Sequence, residues 1–329
     1  MFGGGVCAAS NIRQPPVKQL SWAITRAMIL ASSGVTAMKF ALHFASLNFP
    51  DAPGAARVAR AAEAAGFDSV LAIDHVVLPH HYESVYPYRA NGRMPAANTA
   101  PYVDPLIWMA FAAAATSTIK LMTGVIILPQ REPLALVKQV ATLDFMSGGR
   151  IELGIGVGWL KEEFAAIGVP FEKRGKRADE YIGAMRALWA SDGASYHGEF
   201  VNFDKVNSNP KPMRGDVPII VGGHSEPAAR RAGRLGQGFF PSIGAPADTF
   251  PLFDIVRRAA EAAGRDPESI ERITGCPGAL PNSGLDPLAA VEERRQRGAQ
   301  RLVMPVTAFL PNLEEDLANF GIRVIQQTR

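Results

Sequence analysis

The chain has 329 residues, 47% hydrophobic and 20% charged, a mix that builds a large core and excludes a disordered or collagen-like polymer. Three of its 34 basic residues (Arg13, Lys18 and Arg26) lie in the first 37 positions, which hold no acid, so 31 basic residues face 31 acids from Met38 onward. Such a neutral body is a poor polyanion binder, which argues against nucleic acid as a partner.

Two cysteines, Cys7 and Cys276, exclude a disulfide framework and a four-thiolate metal site. No apolar run reaches the roughly 18 residues of a membrane-spanning helix. A reducing, cytoplasmic setting is the expectation. Residues 1–37 carry one short apolar core, Ala27–Leu30 after Arg26, too brief for a secretory signal. They are expected to be a disordered extension or a mis-set start, with residues 38–329 forming one domain.

From Met38 onward, apolar strand-like runs alternate with helical patterns. Lys39–Phe44 opens as a strand, followed by helix Pro53–Ala65 and its stop at Gly66. Phe67–Ile73 is the second run, with a Pro/Tyr-rich loop over Val76–Val103 and a helix capped by Asp104 and running to Thr116. Ile119–Leu128 is the third, with helix Pro133–Met146. Arg150–Gly156 is the fourth, with helices Lys161–Ala166 and Arg177–Ala190. A small hairpin over Tyr196–Phe203 precedes the fifth strand, Val217–Val221, and helix Glu226–Leu235. Gly238–Ser242, Ile270–Gly275 and Arg301–Pro305 complete the strands, with helices Asp248–Ala263, Asp286–Arg297 and Leu313–Ile325. Eight strand–helix pairs in about 290 residues is the size of a (β/α)8 TIM barrel with insertions. Strands that are apolar throughout suit a sheet covered on both faces. A doubly wound open sheet is the rival arrangement, and the absence of a dinucleotide fingerprint weighs against it.

Barrel enzymes place chemistry just beyond the carboxyl ends of the strands. There the chain carries Asp74-His75, the interruption Thr123-Gly124-Val125, the cluster Gly154-Ile155-Gly156-Val157-Gly158-Trp159, and Gly222-Gly223-His224-Ser225-Glu226. Glycines let backbone amides approach a phosphate or a ring, and the last cluster leads into a helix. The same glycines also suit tight strand-to-helix turns. Asp74 and His75 can hydrogen-bond a polar heterocycle or move a proton, or can be a helix cap beside a packed imidazole. No His/Cys spacing matches a metal motif, so no metal is expected. Lys173–Arg177 is the densest basic run, suited to steering an anion or to a solvated helix start. The direction of His43 cannot be read, because both faces of a barrel strand are covered.

From Met38 to about Ser242 the chain resembles the luciferase-like flavin/deazaflavin oxidoreductases, and within them the coenzyme F420-dependent branch. The resemblance rests on Ala62–Val70, Asp74–Pro79, Thr123–Arg131, Ala141–Asp144 with Ser147–Arg150, Gly156–Trp159 with Glu162-Glu163-Phe164, and Val221–His224. It implies a TIM barrel with insertions at its carboxyl face and coenzyme F420 across the mouth, with FMN as the alternative cofactor of a monooxygenase using reduced FMN and oxygen. It implies Asp74 and His75 beside the ring, His75 as the catalytic group, and a bulged non-prolyl cis peptide at Gly124-Val125. Gly156, Val157, Gly158 and Trp159, and then Gly222, Gly223 and His224, would hold the ribityl and phosphate portions. The sugar-phosphate dehydrogenases of the family carry a glutamate where this chain has Trp159, so a sugar phosphate is not the expected substrate. A small organic molecule is the expected partner, and a homodimer is an expected assembly because relatives often pair. A non-catalytic cofactor-binding barrel is the third reading; it makes Asp74 and His75 dispensable.

Overall fold

The computed structural model describes residues 37–241 and 248–329. The expected extension over residues 1–37 lies outside the described residues, Ala37 excepted, as does Ser242 at the end of the sixth predicted strand. The elements follow in chain order. They are β1 (Lys39–His43), α1 (Ala52–Ala65), β2 (Ser69–Ala72), α2 (Pro105–Ala115), β3 (Lys120–Thr123), β4 (Ile126–Ile127), α3 (Pro133–Ser147), β5 (Ile151–Gly156), α4 (Lys161–Ala166) and α5 (Arg174–Ala190). After these come β6 (Ala194–His197), β7 (Asn202–Val206), β8 (Ile219–Gly222), α6 (Glu226–Leu235), β9 (Gly238–Phe240), α7 (Pro251–Ala262), β10 (Glu271–Gly275), α8 (Pro287–Gln296), β11 (Arg301–Pro305) and α9 (Leu313–Phe320). Among the described residues, no helix is long and apolar enough to cross a membrane.

The strands pair in the order β3-β2-β1-β11-β10-β9-β8-β5-β4, and β3 also pairs with β5, which closes the sheet. The pairings between these strands are parallel. With β3 and β4 as two halves of one stave, the result is the eight-stave TIM barrel. The antiparallel hairpin β6–β7 stands outside it.

The predicted third run is split at the expected interruption, Thr123-Gly124-Val125. β3 ends at Thr123, and β4 resumes at Ile126 to pair with Ile155 of β5. The intervening Gly124-Val125 peptide is cis. The predicted last helix also divides, becoming a π-turn at Gly321–Ile325. A methyl group on Gly321 would lie 2.3 Å from the Ala65 carbonyl oxygen, so α9 gives way where it meets the end of α1.

Side-chain alternation along the strands sorts the core into two shells. Phe40, Leu42, Leu121, Ile151, Leu153, Ile155, Ile219 and Leu302 face the helices. Ala41, Leu71, Met122, Ile220, Phe240, Ile273 and Val303 fill the barrel. Below them, at the amino-terminal end, is a buried ion cluster. The Arg301 guanidinium meets both oxygens of Glu152 and reaches Glu271 at 2.6 Å and Ser69 at 3.2 Å. Lys120 and Lys39 flank it at 2.7 Å from Glu152 and 2.8 Å from Glu271. Burial works to raise the Glu152 carboxyl, but Arg301 and Lys120 hold it at about 2.

Above the apolar layer, two residues further along each strand, the inward positions are His43, Ile73, Gly124, Gly156, Gly222, Gly275 and Pro305. Four of the seven are glycine, so the carboxyl end of the barrel opens onto a shallow, uncharged floor.

Candidate active site

The floor glycines have a packing reason. Val125, turned inward by the break between β3 and β4, lays its two methyl groups over β5 and β8. A Cβ on Gly156 would lie 2.8 Å from Val125 Cγ2, and one on Gly222 would lie 2.7 Å from Val125 Cγ1. Gly124 itself leans on Leu71 in the layer below and on its layer neighbour His43, where a Cβ would come 2.9 Å from Leu71 Cδ2 and 3.2 Å from His43 Cε1. Glycine at 156 and 222 is therefore what lets the branched side chain of Val125 form the middle of the floor.

Asp74 follows β2, and its side chain is wholly buried. Its carboxylate accepts the N–H of Ile127 at 3.0 Å and pairs with Arg131. Arg131 also reaches Asp104 at 3.0 Å, and Asp104 caps α2 through the N–H groups of Leu106 and Ile107. Burial pushes the Asp74 carboxyl up, against the pull of Arg131. The group thus ties the end of β2 to the strand that resumes after Val125.

His75 takes the opposite course and faces the mouth. Its Nδ1 lies 3.0 Å from Glu163 Oε2. Glu163 is buried at the start of α4, where its other oxygen accepts the N–H of Val76 at 2.7 Å and of Val77 at 3.3 Å. Burial would raise the Glu163 carboxyl, yet the hydrogen bond and charge of His75 and the Val76 N–H leave it below the usual carboxylate range. An ionised carboxylate at Nδ1 favours the Nδ1–H tautomer, which leaves the Nε2 lone pair as the acceptor. The neighbouring Glu162 accepts from Ser84 Oγ at 2.7 Å and from the N–H groups of Glu83 and Ser84. Two adjacent glutamates therefore pin the mouth loop at two points, next to His75 and at its middle.

The loop returns aromatic rings over the floor. His75 meets Tyr102 edge-on at 5.2 Å and Trp159 at 6.4 Å. Trp159 in turn meets Tyr82 at 5.5 Å and Tyr86 at 5.2 Å. Tyr86 packs on Tyr88 at 5.3 Å, and Tyr88 packs on His224 at 4.9 Å. A continuous chain of rings thus crosses from the end of β2 to the end of β8. Burial raises the phenols of Tyr88 and Tyr102 to about 12 and lowers the His224 imidazole, so these three rings are neutral around pH 7.

The remaining expected residues are placed as follows. Val157 is half-buried against the outer core. Gly158 has φ +81°, and a Cβ there would strike Phe164 at 2.6 Å. Its carbonyl accepts from Arg174 Nε at 3.1 Å, and Arg174 also lies 3.7 Å above the Phe171 ring. The basic run is thus partly consumed, since Arg177 is buried and donates to the Pro170 carbonyl while Lys173 pairs with Glu199. Gly223 has φ +111°, and its N–H donates to the Phe240 carbonyl at 3.2 Å.

Glu163 and Arg131 stand inside longer motifs that do not mark their partners, and the strand pattern around His43 does not give its direction. A buried Asp74 needs a cation, and Arg131 supplies it from a different motif 57 residues on. His43 shares alternation with Ala41, which the inner shell contains, so it faces into the barrel.

Comparison with known proteins agrees with this architecture. The family described as luciferase-like monooxygenase matches residues 29–297. An uncharacterised protein of Mycobacterium tuberculosis is 36% identical over 208 residues, 63% of this chain and 72% of that one. The FMNH(2)-dependent dimethylsulfone monooxygenase of Pseudomonas putida is 36% identical over 155 residues, 46% of this chain and 42% of that enzyme. The coenzyme F420 dependent tetrahydromethanopterin reductase from Methanopyrus kandleri shares the fold, with a TM-score of 0.70 at 18% identity over 89% of this chain and 100% of that one. The chain belongs to the luciferase-like monooxygenase family.

Proposed function

We propose that the chain is an oxidoreductase that uses coenzyme F420, a deazaflavin, to exchange a hydride with a small organic substrate. The observation that carries this reading is the His75–Glu163 pair at the edge of an uncharged, aromatic-walled floor. A neutral floor of Val125 and glycine backbone suits a flat, apolar ring, and the carboxylate-held imidazole supplies the proton handling that hydride exchange with a polar carbon requires. When bound, the deazaflavin supplies the two-electron chemistry, and the protein supplies orientation.

His75 is the catalytic group in this reading, and its Nε2 accepts or returns a proton at the substrate. Glu163 is its positioning residue. Asp74 and Arg131 hold the resumed strand under the ring, with Gly124 and Val125 as its support. Gly156, Val157, Gly158 and Trp159 line one side, and Gly222, Gly223 and His224 the other. The tyrosines of the mouth loop exclude water.

A second reading, a monooxygenase using reduced FMN and oxygen on the same floor, is favoured by the 36% identity to the FMNH(2)-dependent enzyme. Fluorescence titration with coenzyme F420 and with FMN, each oxidised and reduced, separates the two. Micromolar binding of F420 is the expected result. Micromolar binding of FMN alone, with oxygen uptake on adding reduced FMN, would reject the deazaflavin.

A further inference from the structure

His43 ends β1 and points into the barrel within the floor layer, 5% exposed. Its ring stacks on Phe44 with centroids 4.0 Å apart and meets Phe240 at 5.8 Å. Its Nδ1 accepts the N–H of Phe44 at 2.8 Å. A neutral imidazole has one donor and one acceptor nitrogen, so accepting at Nδ1 puts the proton on Nε2. Burial among Phe44, Phe240, Leu71 and Gly124 keeps the ring neutral, with its pKa lowered to about 3. The Nε2–H has no partner among the described residues. The ring as a whole is 5% exposed, so this nitrogen is held in place beside the mouth with its hydrogen-bonding capacity available to a ligand.

Among the described residues, the other inward side chains of this layer, Ile73 and Pro305, carry no polar side-chain group, and the rest are glycine. His43 is therefore the one polar side chain that the described barrel wall brings up under the bulge. His75 stands at the edge with its free nitrogen an acceptor. The two imidazoles are fixed in opposite hydrogen-bonding senses by different partners, a backbone N–H for one and a carboxylate for the other.

We propose that His43 is a ligand-binding residue whose Nε2–H donates to a carbonyl oxygen lying against the Gly124-Val125 bulge. This rests on the functional reading above. A donor of fixed sense, unable to accept, selects a carbonyl in preference to an amine or a hydrocarbon. The carbonyl has two sources, the pyrimidine portion that flavins and deazaflavins share, or a carbonyl of the substrate.

The test compares wild type, His43→Phe and His43→Gln by titration with oxidised F420 and oxidised FMN, and by infrared difference spectroscopy of the bound ring and of added cyclohexanone. Removing the donor should weaken ring binding roughly tenfold and move the ring carbonyl stretch to higher wavenumber, with His43→Gln recovering part of both. A shift confined to the cyclohexanone carbonyl assigns the donor to the substrate and also supports the proposal. Should His43→Phe fail to fold, His43→Gln carries the test, and ring and cyclohexanone bands that both stay at their wild-type positions overturn the proposal. Equal affinity and unmoved bands in both arms overturn the role of His43 alone. Absence of binding of either ring to wild type overturns this proposal together with the functional reading.

Discussion

Replacing Gly222 with alanine tests whether the floor glycines exist for Val125. The new Cβ would lie 2.7 Å from Val125 Cγ1 and 3.2 Å from the Ile155 carbonyl oxygen. Carbon–carbon contact is optimal at about 3.5–4.0 Å, so the first overlap approaches 1 Å. Overpacking on this scale costs about 1–3 kcal/mol. Reduced freedom of the unfolded chain returns about 0.4–1 kcal/mol, because φ at Gly222 is not in the left-handed region. A net loss of about 1–2 kcal/mol is expected.

Val125→Ala removes the obstructing methyl groups. In that background Gly222→Ala should cost nearly nothing, apart from the residual approach to the Ile155 oxygen. The double-mutant cycle therefore predicts a coupling of about 1–2 kcal/mol, well beyond the roughly 0.3–0.5 kcal/mol within which independent sites add. Urea unfolding of the four proteins, with equal m-values, measures it. Additive effects, or a neutral Gly222→Ala, would refute the packing account and return Gly222 to the role of a backbone cradle. The corresponding cycle with Gly156→Ala, whose Cβ meets the other methyl group at 2.8 Å, should give coupling of the same sign.

Arg131→Met should destabilise by about 3–5 kcal/mol, since it leaves a buried carboxylate without its cation. Arg131→Met with Asp74→Asn should regain most of that loss in calorimetry, and failure to regain it would place Arg131 elsewhere in the energetics. His43 is held neutral in the fold down to about pH 3, whereas the unfolded chain takes up a proton below about 6.5. Its contribution to stability is therefore lost as pH falls from about 6.5 toward 3, by up to about 1.4 kcal/mol per pH unit. His43→Phe should lack that term, so its urea midpoint should gain on the wild type below pH 6; parallel curves would contradict the burial. In Glu163→Gln the His75 imidazole should lose its Nδ1–H preference, which long-range ¹⁵N–¹H NMR reads as a change in tautomer population. An unchanged spectrum would remove Glu163 from its positioning role.

The barrel was legible because its strands are apolar on both faces and each is followed by a helical pattern. Lys161–Ala166, Glu226–Leu235 and Arg301–Pro305 carry the predicted bounds unchanged. The break in the third strand is not visible in its apolar pattern, since Ile119–Leu128 reads as one run. Thr123-Gly124-Val125 stands out there as an interruption, but the cis bulge itself is an expectation of the resemblance alone. Asp74 and His75 were marked as a pair, but adjacent residues at a strand end point in opposite directions, so one is bound inside and the other faces the mouth. Composition near position 74 does not say which. The glycine clusters were read for what they admit from outside. Their partner Val125 comes from a different stave, and a contact across the barrel has no local trace in the chain. The same holds for Glu163, which meets His75 across 88 residues.

The buried ions at the amino-terminal end have a consequence for the opposite end. Sliding β11 by one residue past β1 would rotate Arg301 outward among the helices and leave Glu152 and Glu271 with only the partly exposed Lys120 and Lys39 as counter-charges. A slip of that kind would also carry Pro305 away from its neighbour His43. The cluster therefore acts as an alignment key, which holds the height at which each stave delivers its last residues while touching nothing that binds there.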